Sequence, residues 1–177
     1  MFEHYHYTDT EVSKLLKSIV ILCDTREQSN AHITDWFDKH KIPYKTKALK
    51  CADYSFMIPA NAALNIDRDM YFSAECAIER KHSLEELSGN FTKDRDRIEK
   101  EFAIYPGKLV LLVENASYKD VVLGNYSTQY SAQSFAGTLF AFWHRYNVPV
   151  IFIPDSEFSG RWIYSYFYYY LRNQLKG

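Results

Sequence analysis

The sequence predicts an α/β fold in which a mixed central sheet is flanked by helices. Short apolar runs, several of them rich in β-branched residues as buried strands are, alternate along the chain with segments whose apolar residues recur at helical spacing. Glycine and proline are scarce, at 6 and 5 residues, and the length of 177 residues suits one compact domain. Hydrophobic residues make up 47% of the chain, which is enough for one core without disulfide bonds.

The first half of the chain is expected to contain two helices and four strands. The segment Thr8-Asp9-Thr10-Glu11 offers capping residues for a short leader helix, and Pro43 closes the second helix. The second, third and fourth strands follow one another as in a meander, which makes the predicted sheet mixed. In order, the predicted elements are a helix at residues 8–17, a strand at 19–23, a helix at 31–40, and strands at 44–49, 54–58 and 71–79.

The second half is expected to alternate helices with two buried strands. One helical stripe of apolar residues runs from Leu84 to Tyr105, with Gly89-Asn90 as a candidate break. We assign residues 1–18 to a leader segment with a short helix and residues 19–177 to a single domain. The remaining predicted elements are strands at 109–114 and 148–153 and helices at 131–146 and 156–175.

The composition narrows the cellular setting and the classes of partner. The formal net charge is −1, which does not suit a protein that binds duplex nucleic acid through bulk charge, so any such surface is local or a partner adds affinity. Cys23, Cys51 and Cys76 lack a CxxC pair, and we expect reduced thiols in a cytoplasmic protein. Residues 1–18 lack the layout of a signal peptide, and the aromatic run at 162–171 is about half of a membrane span, so no membrane association is expected.

Three acidic residues stand next to predicted strands. Asp24 follows the first strand, and Asp53 lies between the second and the third. Glu79 ends the fourth strand, with Lys81 two residues further on. Each has an ordinary alternative, because Asp24 has the spacing of a capping box with Glu27, Asp53 suits a turn, and a charged strand end is commonly solvated. Together they form an Asp…Glu-x-Lys pattern, which is typical of metal-dependent nucleases but also occurs often by chance.

These residue types suit metal-assisted cleavage of a phosphodiester bond. Mg²⁺ takes oxygen ligands and keeps several waters, so carboxylates together with a substrate phosphate suit it. The metal polarises the phosphoryl group and lowers the pKa of an attacking water. Because side chains alternate along a strand, Lys81 lies on the same face as Glu79 and can orient or deprotonate that water or offset charge on the phosphate. The histidines, including His4 and His6, do not form a metal cluster, and His82 is a weaker candidate as a proton carrier.

The amino-acid sequences of four segments indicate the protein family more specifically than the spacing of the acids does. In order along the chain they are Cys-Asp-Thr-Arg-Glu at 23–27, Ala-Asp-Tyr-Ser-Phe at 52–56, Ala-Ile-Glu-Arg-Lys-His-Ser-Leu-Glu-Glu-Leu at 77–87, and Leu-Leu-Val-Glu at 111–114. Over about residues 19–153 the chain resembles the XPF-type nuclease family, the Hef-like nucleases of the PD-(D/E)xK superfamily with short phage or bacterial forms. The resemblance implies a restriction-endonuclease-like fold and a Mg²⁺- or Mn²⁺-dependent DNA endonuclease acting at flaps, forks or junctions. The alternative is a non-catalytic DNA-binding or scaffold subunit.

The resemblance also implies a role for each motif residue. The catalytic set that it implies is Asp24, Glu27, Asp53, Glu79, Arg80 and Lys81. Of these, Asp24, Asp53 and Glu79 are expected to hold the metal, and Arg80 to face phosphate or to serve as a structural partner. Glu85 takes the place of an Asp that supports the metal ligands without touching the metal. Ala52 replaces the usual Gly, so the turn before Asp53 must tolerate a Cβ.

Contacts with DNA and with other proteins are expected outside this set. Lys45 and Lys47 share a face of the second strand and can follow a phosphate backbone, and a solvated edge strand is the equal alternative. Relatives usually carry helix-hairpin-helix modules or a helicase, so we expect a DNA-targeting protein partner and a phage or mobile-element setting. Large aromatic residues on every side of the last helix predict a homodimer. The alternative is a helix sunk between the sheet and the leader segment.

Overall fold

The computed structural model describes residues 7–176, so His4 and His6 lie outside the described residues. The helices are α1 (Asp9–Lys17), α2 (Ala31–Lys39), α3 (Leu84–Thr92), α4 (Arg95–Ile104), α5 (Tyr118–Leu123), α6 (Ala132–Tyr146) and α7 (Ser159–Lys176), with short 3₁₀ turns at Ala62–Leu64 and Ser156–Phe158. The strands are β1 (Val20–Cys23), β2 (Tyr44–Thr46), β3 (Tyr54–Ile58), β4 (Met70–Tyr71), β5 (Cys76–Lys81), β6 (Lys108–Glu114) and β7 (Val150–Ile153).

The strands form one mixed sheet in the order β2-β1-β3-β5-β6-β7, with β4 paired to β3. The sheet is mixed because β3 runs antiparallel to both of its long neighbours, β1 and β5, while β5, β6 and β7 are mutually parallel. The predicted α/β class with a mixed sheet is therefore confirmed. The meander is wrong, because β2 pairs in parallel with β1 at the edge of the sheet and α2 supplies the crossover that parallel pairing needs.

Two predicted elements are interrupted, and one helix was not predicted. The expected strand at 71–79 is interrupted by a turn in which the amides of Glu75 and Cys76 both donate to the Phe72 carbonyl. Phe72 is buried there and stacks on Phe56 with ring centroids 4.3 Å apart. The long helical stripe breaks at residues 93–94 and not at Gly89. The six-residue α5 was not predicted, although Ser117 begins it with a capping box.

Helices cover both faces of the sheet. One core cluster joins α1, α2 and α7 to β1 and β3, and the other joins α3, α4 and α6 to β6. Because side chains alternate between the two faces of a strand, β6 contributes to both clusters. Leu112 belongs to the first cluster, and Leu111 and Val113 belong to the second. The leader helix α1 is thus part of the first core cluster. Within residues 7–176, none of the helices is both long enough and apolar enough to cross a bilayer.

The last helix packs against α1, α2 and the sheet. Ile163, Phe167 and Leu171 follow one another at helical spacing and are buried on the sheet side. Gly160 allows a close approach to α2, since a Cβ at this position would lie 2.9 Å from the Cβ of Trp36. Much of the aromatic surface of α7 is therefore covered within the chain. This agrees with the alternative in which the last helix lies between the sheet and the leader segment and does not form a dimer interface.

Candidate active site

The sheet topology brings the predicted site residues together at one end of the central strands, and this end of the sheet is called its edge below. Asp24 directly follows β1, and Asp53 directly precedes β3, which runs antiparallel to β1. The end of β5, with Glu79 and Lys81, reaches the same edge because β5 is also antiparallel to β3. Glu114 ends β6, which runs parallel to β5, and therefore lies at this edge too.

A strained turn places Asp53. Ala52 has a φ of 67°, in the left-handed region where a Cβ costs about 1–2 kcal/mol. Its methyl group is buried, so the turn accepts the Cβ that replaces the usual glycine. Asp53 is then fixed on both sides, because its amide donates to the Ile78 carbonyl at 3.0 Å and its carbonyl accepts from the Asp24 amide at 2.8 Å.

The carboxylate of Asp53 lies close to a second acid. Its Oδ2 accepts a hydrogen bond from the Arg80 amide at 2.7 Å. Burial and the neighbouring charge of Glu79 raise the pKa of Asp53 to about 8, although Lys81 and the Arg80 amide act in the opposite direction. Ionisation of Asp53 beside Glu79 is therefore unfavourable, and a bound cation would favour it.

Lys81 is the buried cation of this group. Its Nζ donates to Glu79 Oε1 at 2.6 Å and lies 3.5 Å from Glu86 Oε1. Burial disfavours the ammonium, but the surrounding carboxylates, led by Glu79, outweigh it and raise the pKa of Lys81. Glu86 also accepts hydrogen bonds from the His82 amide at 3.0 Å and from its Nδ1 at 2.5 Å. Glu86 thus ties the lysine to the start of α3.

Arg80 connects the site to the end of β6. Its side chain is 3% exposed and lies 3.8 Å from Glu27 and 3.6 Å from Glu114. The guanidinium also donates to the Ser29 carbonyl at 2.7 Å. Glu114 is itself buried, and its other oxygen pairs with His32 Nε2 at 2.9 Å. These contacts surround the Arg80 side chain with protein groups, which favours its structural role over contact with phosphate.

Asp24 is adjacent to Asp53, but its carboxylate is engaged elsewhere. Oδ1 accepts from the Arg26 amide at 2.9 Å and from Arg26 Nε at 2.6 Å, and Oδ2 accepts from the Leu49 amide at 2.6 Å. Burial opposes ionisation, but these hydrogen bonds prevail and lower the pKa of Asp24. The Arg26 side chain is 67% exposed, so it can leave Asp24 without opening the core.

Glu85 does not lie with this group. Its carboxylate accepts hydrogen bonds from the Ser127 amide at 3.0 Å and hydroxyl at 3.3 Å, and the amide contact in particular lowers the pKa of Glu85. Adjacent residues of a helix point about 100° apart. At the start of α3 it is therefore Glu86, and not Glu85, that faces Lys81.

The lysines predicted to contact DNA are exposed beside the edge strand β2. Lys45 lies within β2, and Lys47 lies just beyond its end with its ammonium 4.7 Å from the centre of the Tyr71 ring. Neither lysine forms an ion pair within residues 7–176. Both side chains are free to meet phosphate, and both equally suit a solvated edge strand.

Three contributors to the site were not predicted from the sequence. Glu114 had a usable signal, because it ends a buried strand as Glu79 does. Glu86 required knowledge of where α3 begins, since its neighbour Glu85 fits the family spacing better. His32 carried no pattern, and only the fold reveals its contact with Glu114.

Several of the site residues, among them Asp53 and Lys81, border a cleft of about 390 Å³. No three side chains of His, Cys, Asp or Glu converge as a complete metal site anywhere in the described part of the chain. The candidate ligands are the pair Asp53 and Glu79, whose carboxylate oxygens fit a hard cation that also takes water and phosphate oxygens. The cleft is lined by Arg26, Glu27, Gln28, Ser29, Asp53, Arg80, Lys81, His82 and Glu86.

The comparisons identify the chain, with its mixed sheet and its acid–lysine group, as an XPF-type nuclease domain. Residues 23–166 match the ERCC4 domain, and the chain belongs to this family. XPF from Aeropyrum pernix superposes with a TM-score of 0.63 at 15% identity, over 86% of this chain and 65% of that one. The same protein in complex with DNA gives a TM-score of 0.60 at 16% identity, over 88% and 64%. The chain thus spans just under two thirds of these structures, and no curated protein sequence matches it.

Proposed function

We propose that this chain is a divalent-metal-dependent endonuclease that hydrolyses phosphodiester bonds in DNA. The observation that carries the proposal is the group of Asp53, Glu79 and Lys81, in which one acid raises the pKa of the other and the ammonium lies 2.6 Å from Glu79. Two members of this group, Asp53 and Lys81, border an open cleft of about 390 Å³. Membership of the ERCC4 domain family supports the proposal, as does a fold shared with an XPF described in complex with DNA.

Mg²⁺ or Mn²⁺ is the proposed cofactor, held by Asp53 and Glu79 with Asp24 as the third carboxylate. When bound, the ion supplies Lewis-acid activation of the scissile phosphate and of the attacking water. Asp24 becomes available once the exposed Arg26 leaves its Oδ1, and the freed guanidinium is then suited to bind a phosphate oxygen of DNA.

Lys81 and Arg80 have different proposed roles, one electrostatic and one structural. Lys81 stays an ammonium between Glu79 and Glu86 and offsets the negative charge that develops on the phosphate during attack. The backbone amide of Arg80 fixes the carboxylate of Asp53, while its side chain anchors β5 against Glu114. In-line attack by water then leaves a 5′-phosphate and a 3′-hydroxyl.

The proposed substrate is branched DNA, such as flaps, forks or junctions formed in replication or recombination. Family membership supports this class. A net charge of −1 provides little general attraction for duplex DNA, so binding depends on local groups such as Lys45 and Lys47 or on a DNA-targeting protein partner.

Cleavage of a panel of flap, fork, four-way junction and linear DNA in Mg²⁺, Mn²⁺ or EDTA tests the proposal. Asp53→Asn and Glu79→Gln are expected to abolish cleavage and to leave folding and DNA binding intact. Asp67→Asn, which removes an exposed acid on the loop before β4, is the matched control and is expected to cut normally. Wild-type cleavage rates in Asp53→Asn, or cleavage that persists in EDTA, would overturn the assignment.

A non-catalytic DNA-binding subunit is the second candidate. The observation that favours it is the engagement of both Asp24 oxygens by Arg26 and Leu49. The same panel separates the two, because this candidate predicts binding to branched DNA without cleavage in either metal.

We also propose a homodimer, formed through α5 and α6 and not through the buried side of α7. Large apolar side chains are exposed on these two helices, and the rings of Tyr118 and Phe140 contact each other with centroids 6.0 Å apart. Light scattering should report a particle of twice the chain mass, which Val122→Glu with Phe140→Glu splits and Ile104→Glu does not. A wild-type monomer at micromolar concentrations contradicts the proposal. The exposed residues are Tyr118, Val122, Leu123, Phe140 and Trp143.

A further inference from the structure

An aromatic groove lies at the end of the sheet opposite the candidate active site. It has a volume of about 400 Å³ and lies between α7 and Lys108 at the start of β6; we name it the α7 groove. Glu114 ends the same strand of 7 residues. Strands rise about 3.3 Å per residue, so the α7 groove is separated from the catalytic cleft by roughly 20 Å.

The walls of the α7 groove are flat rings that are only partly covered. Trp162 and Tyr166 are stacked with centroids 5.2 Å apart and an interplanar angle of 10°. Tyr169 is 57% exposed although its neighbours along the helix are packed. Open aromatic faces of this kind form stacking platforms for nucleobases, and they tolerate any sequence because every base has a π face.

The polar groups of the α7 groove are cationic or neutral. The Lys108 ammonium lies 5.7 Å from the centre of the Tyr170 ring and forms no ion pair within the described residues. The exposed Asn173 amide has no hydrogen-bond partner in residues 7–176 and can reach a base edge. One acid, Glu75, borders an adjoining cavity of about 560 Å³ that shares Lys108 and Tyr170.

The charges of α7 point to a polyanion. Within its 18 residues, SGRWIYSYFYYYLRNQLK, the helix carries no acid and three cations, Arg161, Arg172 and Lys176, of which Lys176 pairs with Asp9 of α1 at 2.9 Å. A second copy of the chain docked symmetrically at this surface would bring these like charges together. A nucleic-acid strand instead offers phosphates for the cations and bases for the rings.

We propose that the α7 groove binds single-stranded DNA, with a base stacked against Tyr169 or the Trp162–Tyr166 pair and a phosphate near Lys108. A volume of about 400 Å³ lies within the range of about 300–1,000 Å³ that is usual for small-ligand sites, and so accommodates a nucleotide unit. Paired bases are stacked inside the duplex and cannot enter, so the groove selects unpaired strands. The choice of DNA rests on the proposed function, whereas the binding itself requires none of the catalytic residues.

Fluorescence anisotropy of a labelled oligothymidylate in EDTA tests the proposal. Wild-type protein and Asp53→Asn should bind the single strand equally, and both should bind it more tightly than a duplex of the same length. Tyr169→Ala should weaken binding roughly tenfold, while Tyr169→Phe, which keeps the ring, should not. Phe158→Ala is the matched control, since Phe158 is an aromatic residue with the same exposed fraction as Tyr169, 57%, but does not line the α7 groove.

Lys108→Ala provides a second variant with a different readout. Loss of one phosphate contact should reduce the salt dependence of single-strand binding by about 0.7 in the logarithmic slope. Photocrosslinking of wild-type protein to a bromouracil-containing strand should label the α7 segment, residues 159–176. Binding that is unchanged in both Tyr169→Ala and Lys108→Ala overturns the proposal, as does labelling confined to residues 44–50. A chain that binds as expected but cuts no DNA refutes the nuclease activity alone.

Discussion

Replacing Asp53 by asparagine is expected to raise the melting temperature of the metal-free protein, and to raise it more at high pH than at low pH. Burial and the charge of Glu79 raise the pKa of Asp53 from 3.8 to about 8 in the folded protein. An acid whose pKa is raised by folding stabilises the protein below its unfolded pKa, and this stabilisation is lost as pH rises through the folded value. The window of loss therefore runs from about pH 4 to about pH 8.

The size of the effect follows from linkage. One pKa unit corresponds to about 1.4 kcal/mol, so a rise of about four units sets an upper limit on the order of 5 kcal/mol. Lys81 loses an attractive partner in the variant, which leaves an expected gain of about 1–2 kcal/mol near pH 8. For a domain of this size each kcal/mol raises the melting temperature by about 2–4 °C.

Differential scanning fluorimetry in EDTA at about pH 5 and about pH 8 measures this difference directly. Asp67→Asn removes an exposed acid and is expected to leave the melting temperature unchanged at both pH values. Added Mg²⁺ should stabilise the wild type more than Asp53→Asn, because it relieves the repulsion that the substitution has already removed. An Asp53→Asn protein that melts at or below the wild type near pH 8 refutes the reasoning.

Three further sets of variants test separate features. Ala52→Gly should raise the free energy of unfolding by about 0.5–1 kcal/mol, because it relieves a φ of 67°, and an unchanged urea midpoint would contradict this strain. Lys45→Ala with Lys47→Ala should lower the salt slope of DNA binding by about 1–2 without a change in metal affinity, and an unchanged slope would leave β2 an ordinary solvated edge. Glu86→Gln should slow cleavage roughly 10–100-fold while Glu85→Gln cuts normally, and the reverse ranking would restore Glu85 to the site.

The strands were predictable because their signal is local. Apolar β-branched runs such as residues 20–23 and 150–153 identify strands without reference to the rest of the chain. Pairing between strands is not local, and this is why the position of β2 was wrong. Nothing in residues 44–46 indicates that their hydrogen bonds go to β1, across α2, and not to the next strand along the chain.

The site was predictable to the level of strand ends. In an antiparallel pair the start of one strand lies beside the end of the other. Asp53 precedes β3 and Glu79 lies near the end of β5, so the pairing of β3 with β5 brings the two acids together. The partners of each carboxylate were not predictable, since Asp24 is engaged by the amide of Leu49, which lies 25 residues further on. The exchange of Glu85 for Glu86 has the same origin, because a shift of one residue in a helix start turns each side chain by about 100°.

The junction of β3 and β5 shows that Asp53 also has a structural task. Residue pairing between these strands is confined to Tyr54 and Ile78. Asp53 extends it, because its amide donates to Ile78 and its carboxylate replaces a backbone carbonyl as the acceptor for the Arg80 amide at 2.7 Å. Asparagine keeps such an acceptor and alanine does not.

Asp53→Ala is therefore expected to melt below Asp53→Asn, although both remove the same charge. The buried Arg80 amide loses its acceptor in the alanine variant, which costs about 1–3 kcal/mol. At about pH 8 the loss offsets the gain from charge removal, and at about pH 5, where that gain is small, Asp53→Ala should fall below the wild type. Thermal melts of the three proteins in EDTA give the ranking. If the two variants melt together at both pH values, the carboxylate has no share in joining β3 to β5, and charge alone accounts for the effect of Asp53 on stability.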